Sequence, residues 1–261
     1  MEKIVMPKIV AHDVSMSYPL LTDSSLSLKK KFINFLCRKK STLSSSSLNN
    51  INFTLYEGDR LGVIGINGAG KSTLLKLLSG IYTPNSGDLI VNGSVSSLLS
   101  LQYGMKPWAT GYENIRLRCL LNNLTDEQIE KVIKEVEEFT ELGDALAKPI
   151  NTYSSGMILR LSFAIATAQI PDILILDEVI GTGDEYFLDK ANTRMESFID
   201  HSNVMVLASH SEQIIRKFCN KVLWLEHGAV KYFGEINKGF EEYKHFIENI
   251  KLTHKKNIGI K

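Results

Sequence analysis

The chain has little of what marks several large classes of protein. Its three cysteines, Cys37, Cys119 and Cys219, are odd in number and widely spaced, which argues for reduced thiols and against a disulfide framework or a metal cluster. No stretch approaches the ~18–20 uninterrupted apolar residues that a membrane-spanning helix needs. The start, Met1-Glu2-Lys3, lacks the apolar core of a signal peptide. We therefore expect a chain that stays in the cytoplasm.

An excess of charge of one sign is also missing. The formal net charge is +1, and no basic stripe is interleaved with aromatic residues as in single-strand nucleic-acid binders. Neither the net charge nor the residue pattern therefore supports a nucleic-acid partner. With 44% apolar and 23% charged residues over 261 positions, the composition is that of a globular protein that can bury a full core.

The strongest positive signal is a glycine-rich stretch between an apolar run and a leucine-rich segment. Gly65-Ile66-Asn67-Gly68-Ala69-Gly70-Lys71-Ser72-Thr73 follows Leu61–Ile64. Glycines let backbone N–H groups converge on phosphates, and the start of the following helix adds a positive dipole end. Lys71 should reach the β- and γ-phosphates, and the Ser72 hydroxyl should ligate Mg²⁺. The alternative is a glycine-rich turn that happens to end in Lys-Ser.

An acidic pair follows a second apolar run. Ile173-Leu174-Ile175-Leu176 before Asp177-Glu178 is typical of a buried parallel strand that delivers two carboxylates to its carboxyl edge, where ligands bind in open α/β sheets. Asp177 is then placed to hold Mg²⁺ through water, and Glu178 to polarise the water that attacks a γ-phosphate. Alone, the pair could equally cap the next helix.

A serine-rich helix start lies between these two motifs. Tyr153-Ser154-Ser155-Gly156-Met157 opens a helical segment that ends before Pro171. Serine hydroxyls and free N–H groups at a helix start suit an anion, although by itself the stretch is only an N-cap.

The remaining pattern predicts an α/β fold with a parallel core sheet, an antiparallel β region and an inserted α-helical subdomain. Apolar residues alternate near residues 14–18 and 51–55, which favours antiparallel strands. Thr125 and Gln128 form a capping box at the start of a helix that we expect to stop at Gly143. The predicted parallel strands are Leu61–Ile64, Ile173–Leu176 and Val204–Ala208.

The order of these motifs, completed by Ser209-His210, resembles the nucleotide-binding subunit of an ABC transporter over nearly the whole chain. Within that superfamily the chain is most similar to the ATPase subunits that export bacterial surface polysaccharides such as O-antigen, capsule and teichoic acid. Three stretches carry this similarity: Tyr153-Ser154-Ser155-Gly156-Met157 in place of the general Leu-Ser-Gly-Gly-Gln, Thr110-Gly111-Tyr112-Glu113-Asn114-Ile115, and Asp177-Glu178-Val179 running to Gly183-Asp184.

The resemblance implies an ATP-binding domain over residues 1–239, with an insertion at 20–48, a helical subdomain at 103–171 and a short tail at 240–261. It implies a homodimer that uses ATP and Mg²⁺ on the cytoplasmic face of the inner (plasma) membrane. The dimer would power a separate permease that exports a lipid-linked polysaccharide, with O-antigen first and capsule or teichoic acid as alternatives. A non-transport phosphate-loop ATPase is the other alternative.

The resemblance also implies roles for single residues. Glu178 would be the hydrolytic base and His210 the switch histidine, while Tyr18 would stack on adenine or, alternatively, belong to the core. Ser154 and Gly156 would contact ATP held by a second copy, and Asp184 would link the two sites. The nucleotide-binding set is Tyr18, Gly65, Asn67, Gly68, Ala69, Gly70, Lys71, Ser72, Thr73, Ser154, Gly156 and Asp184. The Mg²⁺ set is Ser72, Asp177 and Gln102, with Ser100 as the competing alignment for Gln102.

Two further features concern partners. Residues 24–56 contain no acidic residue, and their basic part predicts a short amphipathic helix with Lys29, Lys30 and Lys31, followed by a linker over 41–47. Such a helix suits a membrane surface, whereas the alternative is a solvated face. Large residues at 103, 105, 108 and 112 predict a groove for a permease helix, with burial in the subdomain core as the alternative.

Overall fold

A computed structural model describes residues 6–19, 44–99, 104–177 and 185–257. The chain divides into two compact units. The first unit comprises Met1–Asn92 with Leu207–Lys261, and the second unit comprises Gly93–Val206. The strands and helices, in chain order, are β1 (Ile9–Pro19), β2 (Ser44–Leu55), β3 (Arg60–Ile64), α1 (Lys71–Leu78), β4 (Ser86–Val91), β5 (Val95–Ser97), α2 (Gly111–Leu121), α3 (Asp126–Thr140), α4 (Ser155–Ala166), β6 (Ile173–Asp177), α5 (Glu185–His201), β7 (Val204–Ala208), α6 (Glu212–Phe218), β8 (Lys221–Glu226), β9 (Ala229–Glu235) and α7 (Ile236–Asn257).

The first unit contains the predicted antiparallel region. Strand β1 pairs antiparallel with β2, from Ile9 opposite Leu55 to Pro19 opposite Ser44, and with β4 on its other side. A second set of strands pairs β3 in parallel with β8, and β8 antiparallel with β9. The antiparallel prediction is therefore confirmed, although β4 was not foreseen.

An irregularity in β1 explains its apolar pattern. Ile9 and Ala11 are buried, and after a register shift the buried positions become Val14 and Met16. Asp13 lies at the shift with a positive φ of 50°. A bulge of this kind inserts one residue, so the face that points to the core changes from odd to even numbers.

The residues 44–47, predicted as part of a linker, lie in β2. Their backbone pairs with the end of β1, with Ser46 opposite Ser17 and Ser45 opposite Tyr18. Backbone pairing needs no apolar side chain, which is why a serine run could be misread as a linker. The predicted basic helix and the other linker residues fall in 20–43, outside the described residues.

The polar segment predicted as a short tail from residue 240 forms most of α7. Phe240 is buried, and Tyr243 and Phe246 pack on Trp224 with ring centroids 5.6 Å and 4.9 Å away. Apolar residues three apart place one side of this helix against β8. None of the described helices is both long and apolar enough to cross a membrane.

The second unit contains the predicted helical subdomain. Strands β5 and β6 pair in parallel, with β7 beside β6. Capping boxes at Thr110 with Glu113 and at Thr125 with Gln128 begin α2 and α3. The predicted stop of α3 at Gly143 is wrong: α3 ends at Thr140, because Glu141 already adopts the left-handed conformation with φ 55°. Gly143 instead opens a short 3₁₀ helix.

Candidate nucleotide-binding site

The glycine-rich stretch forms the connection between β3 and α1, as predicted. Strand β3 ends at Ile64, and α1 begins at Lys71. At Gly65, with φ 151°, an added Cβ would overlap the Leu225 carbonyl oxygen. At Gly70, with φ 108°, an added Cβ would lie 2.7 Å from the Ser47 carbonyl oxygen. Both glycines are therefore required by the backbone conformation and by close packing.

The start of α1 is arranged for an anion. Gly70, the N-cap residue, has no side chain, so no capping oxygen competes for the first-turn amides. The Lys71 Nζ donates to the Gly65 carbonyl at 2.7 Å and to the Ile66 carbonyl at 3.3 Å, which folds its charge back over the loop. Asn67, Gly68 and Ser72 are exposed, whereas Ala69 is buried against the core. The loop thus exposes Asn67, Gly68 and Ser72 beside the Lys71 ammonium.

Hydroxyl groups connect this loop with β1 and β2. The Thr73 Oγ1 lies 3.2 Å from the Tyr18 hydroxyl and 2.8 Å from the Ser47 Oγ. The Tyr18 ring is half-buried and edge-on to Tyr82, with centroids 5.7 Å apart. Tyr18 therefore lies beside the loop and not inside the core. The sequence does not predict the contact between Ser47 and Thr73, because nothing in the run of serines distinguishes Ser47 from its neighbours.

His210 lies near the same loop, in a cavity of about 270 Å³ that also includes Gly65 and α7 residues. His210 is exposed, whereas Ser209 is buried and its Oγ accepts from the Ser211 amide at 3.1 Å. Glu212, on the cavity wall, accepts from Lys244 at 2.9 Å, and this hydrogen bond lowers the pKa of the Glu212 carboxyl. The structure thus brings the predicted switch histidine and the loop's first glycine to one cavity.

In the second unit, Asp177 ends β6 as predicted. Residues 173–176 are buried and Asp177 is exposed, so its carboxylate leaves the core at the carboxyl end of the strand. Carboxylate and hydroxyl oxygens are ligands that Mg²⁺ accepts, and Asp177 and Ser72 supply donors of this kind. Each belongs to its own unit.

The serine-rich motif begins α4. The Ser154 Oγ accepts from the Met157 amide at 3.3 Å, as an N-cap does. Gly156 is exposed, and the nearest atom to an added Cβ would be the Ser154 Oγ at 4.0 Å. Packing among the described residues thus does not require a glycine at 156. A glycine would be required at 156 if a group from outside the chain approached this backbone closely.

Other predicted site residues lie outside the described residues. These are Glu178, Asp184, Gln102 and its competitor Ser100. Their roles stay predictions.

Comparison with known proteins places this geometry in a family. Residues 48–181 match the family described as "ABC transporter". The O-antigen export system ATP-binding protein RfbE of Yersinia enterocolitica is 43% identical over 231 residues, which cover 86% of this chain and 97% of that protein. The teichoic acids export ATP-binding protein TagH of Shouchella clausii is 36% identical over 241 residues, which cover 92% of this chain and 66% of that protein.

A solved structure supports the fold. It is a dimeric ATP-binding cassette in a post-hydrolysis state with ADP and Pi, which superposes with a TM-score of 0.64 at 19% identity. The alignment covers 87% of this chain and 98% of that one. The chain therefore belongs to the ABC transporter family and, within it, to the group of ATP-binding proteins that includes RfbE and TagH.

Proposed function

We propose that this chain is the ATP-hydrolysing subunit of a transporter that exports a lipid-linked surface polysaccharide, most specifically O-antigen, through a separate membrane permease. The observation that supports this most is the similarity to RfbE, which is 43% identical over 97% of that protein's length. The loop geometry at Gly65–Thr73 supports the ATP-binding part. The chain would act at the cytoplasmic face of the inner (plasma) membrane, without a nucleic-acid partner.

In this function the first unit binds the nucleotide. The amides of Gly65–Thr73 would surround the phosphates, and the Lys71 ammonium would turn from the carbonyls it now contacts to the β- and γ-phosphates. Tyr18 would stack on adenine. Ser72 and Asp177 would hold Mg²⁺, with Gln102 as the third candidate, and the bound ion would neutralise charge on the transferred phosphoryl group.

Hydrolysis requires a base and a second copy of the chain. Glu178 would take a proton from the attacking water, and His210 would sense the γ-phosphate. In a head-to-tail homodimer, Ser154, Gly156 and Asp184 would approach ATP held by the other copy. The open space around Gly156 supports this arrangement, because it leaves room for a phosphate against the backbone.

Teichoic acid export is the second candidate, since the TagH similarity covers 92% of this chain at 36% identity. Capsule export has no specific observation in its favour. Purification of the chain from membranes, followed by identification of the co-purified permease and lipid-linked glycan, separates these substrates. A partner without membrane-spanning segments would contradict the transport function.

Glu178→Gln tests the enzymatic part. We expect turnover to fall roughly 10²–10⁴-fold, the usual contribution of a general base, because the amide cannot accept the proton. ATP binding should persist, and an ATP-bound dimer should accumulate. The measurements are steady-state hydrolysis, ATP affinity and size-exclusion chromatography with ATP. Near-normal hydrolysis by the pure variant would contradict the assignment of the base.

A further inference from the structure

Two cations on α5 hold the ends of α3 and α4. The guanidinium carbon of Arg194 lies 4.4 Å from the centroid of the Phe139 ring, and the Lys190 Nζ lies 5.1 Å from it. Arg194 also donates from Nε to the Thr167 Oγ1 at 2.7 Å and from Nη2 to the Glu135 Oε1 at 2.6 Å. We call Glu135, Phe139, Thr167, Lys190 and Arg194 the cation clamp.

Lys190 completes the attachment at the end of α3. Its Nζ donates to the Glu141 Oε1 at 2.7 Å and to the Glu138 carbonyl at 3.2 Å. A cation at a helix C-terminus satisfies orphan carbonyls and interacts favourably with the helix dipole. The clamp thus holds α3 through its side chains and its terminal backbone.

Arg194 is the central member of the clamp, and it is largely shielded from water. Its side chain is 16% exposed, and burial lowers the pKa of its guanidinium, although Glu135 acts in the opposite direction. Thr167, its hydroxyl partner, is buried and donates in turn to the Phe163 carbonyl at 2.8 Å. A shielded cation with planar, directional donors constrains geometry far more than a mobile surface ion pair.

An aromatic cluster reinforces the same three helices. Phe139 of α3, Phe163 of α4 and Phe187 of α5 have ring centroids 5.6–6.2 Å apart and are all buried. Arg160 of α4 lies over Phe187 at 5.2 Å. The three helices are therefore joined by packing and by directional polar contacts within one unit.

The position of α4 gives this connection a consequence for the proposed function. Thr167 follows the end of α4, and Ser154 caps its start, so the clamp holds the end far from Ser154 and Gly156. A 12-residue helix is about 18 Å long, so a tilt of about 5° at Thr167 would displace Ser154 by roughly 1.5 Å. A misplacement of about 1 Å can cost on the order of 10²-fold in rate.

We propose that the cation clamp is a positioning device for the ATP site of the second copy. It fixes α4 against α5, the next described helix after Asp177, so that Ser154 and Gly156 meet the partner's nucleotide at a set position. Arg194 is a positioning residue and touches no substrate. The inference rests on the proposed function, because only a head-to-tail dimer gives Ser154 a nucleotide to meet.

Arg194→Met tests the clamp with a side chain that keeps an unbranched apolar stem and removes the guanidinium. We expect ATP-driven dimerisation and turnover to fall by about 10-fold or more, while ATP binding to the single chain stays unchanged, because Gly65–Thr73 lies in the other unit. The matched control is Arg116→Met, which removes the exposed Arg116–Glu130 pair between α2 and α3 and should leave all three values unchanged. If Arg194→Met fails to fold, Glu135→Gln weakens the same contact and should give a smaller loss of the same kind.

Mixed dimers separate positioning from a general loss of stability. Lys71→Ala disables one loop, and Arg194→Met is placed either in that same chain or in the opposite chain. With both changes in one chain, the working loop faces a Ser154 whose clamp is broken, and hydrolysis should fall relative to a Lys71→Ala/wild-type dimer. With the changes in opposite chains, the working loop faces an intact clamp, and hydrolysis should match that reference.

Equal rates in the two arrangements, or the reverse order, would overturn the inference. A wild-type chain that does not dimerise with ATP would instead contradict the proposed function itself. The two failures are therefore distinguishable in one set of measurements.

Discussion

Among single residues, Tyr18 has two groups with separable roles. Its ring is half-buried near Tyr82, and its hydroxyl lies 3.2 Å from the Thr73 Oγ1. If the ring stacks on adenine, its loss should cost about 1–3 kcal/mol of binding, the usual value for a base on an aromatic side chain. The hydroxyl, in contrast, contacts the loop residue Thr73.

We therefore expect Tyr18→Ala to weaken ATP binding by roughly 10-fold and Tyr18→Phe to leave it nearly unchanged. Equilibrium titration with a fluorescent ATP analogue measures both affinities. A similar loss in both variants would assign the effect to the hydroxyl chain and would contradict stacking.

The loop residues could be predicted because their chemistry is local. Gly65, Gly70 and Lys71 follow one another in the order that a phosphate requires. Ser47 and Arg194 could not, because their partners Thr73 and Glu135 are distant in sequence and meet only through tertiary packing. No short pattern carries that information.

At the scale of elements, the turn before α2 presents an aromatic side chain on a rigid support. The buried Asn114 side chain accepts from the Lys106 amide at 2.7 Å and donates to the carbonyls of Lys106, Ala109 and Thr110. Trp108, within this turn, is 82% exposed. Burial in the subdomain core, the alternative for Trp108, is therefore excluded.

The other residues of the predicted groove differ. Met105 and Tyr112 are partly buried, with Met105 next to the Ser162 hydroxyl and the Tyr112 hydroxyl donating to Glu137 at 3.0 Å. That hydrogen bond raises the pKa of the Tyr112 hydroxyl. Tyr103 lies outside the described residues. Among the described residues of the predicted groove, Trp108 is thus the one whose exposure suits the predicted contact with a permease helix.

Trp108→Ala should weaken association with the permease and leave folding intact, since an exposed indole contributes little to the core but commonly anchors an interface. Leu121→Ala, which shortens another exposed apolar side chain of the same unit, is the matched control. Co-purification with the permease and thermal unfolding measure the two effects. Normal assembly of the Trp108 variant, or its unfolding, would contradict this role.

Elements with strong local signals were the predictable ones. Thr125 and Gln128 predict the start of α3, because they form a capping box that the structure contains. Helix α3 ends where Glu141 adopts a left-handed conformation. A glutamate rarely adopts this conformation, so the sequence does not predict the end of the helix at this position. The sequence pattern does not predict α7, because the few apolar residues of this helix, among them Phe240, are separated by charged ones.

At the scale of the whole molecule, the basic segment 24–40, which lies outside the described residues, stays a predicted contact with the membrane surface. Near an anionic surface each Lys is worth on the order of 1 kcal/mol, so Lys29, Lys30 and Lys31 could together contribute roughly 3 kcal/mol. This attraction is screened beyond about 8 Å at physiological salt, so it acts only at the membrane boundary.

Replacing the three lysines by Gln should impair polysaccharide export in cells and leave ATPase activity and dimerisation of the purified chain nearly intact. Replacement by Arg, which keeps the charge, is the control and should preserve export. Surface polysaccharide on intact cells and ATP hydrolysis in solution are the measurements. Equal export by the Gln variant and the parent would reduce the segment to a solvated face.

The pairing at the end of the β1–β2 ladder bears on how such chains diversify. Pro19 lies opposite Ser44, so the chain leaves and re-enters the sheet at adjacent points. The entropy of closing a loop grows slowly, by about 0.6 kcal/mol for each doubling of its length. Whatever connects these two points can therefore be lengthened, shortened or exchanged at little cost to the ladder beneath it. The end of the β1–β2 ladder is therefore a position at which evolution, or a protein engineer, can insert a new module without changing the rest of the ATPase.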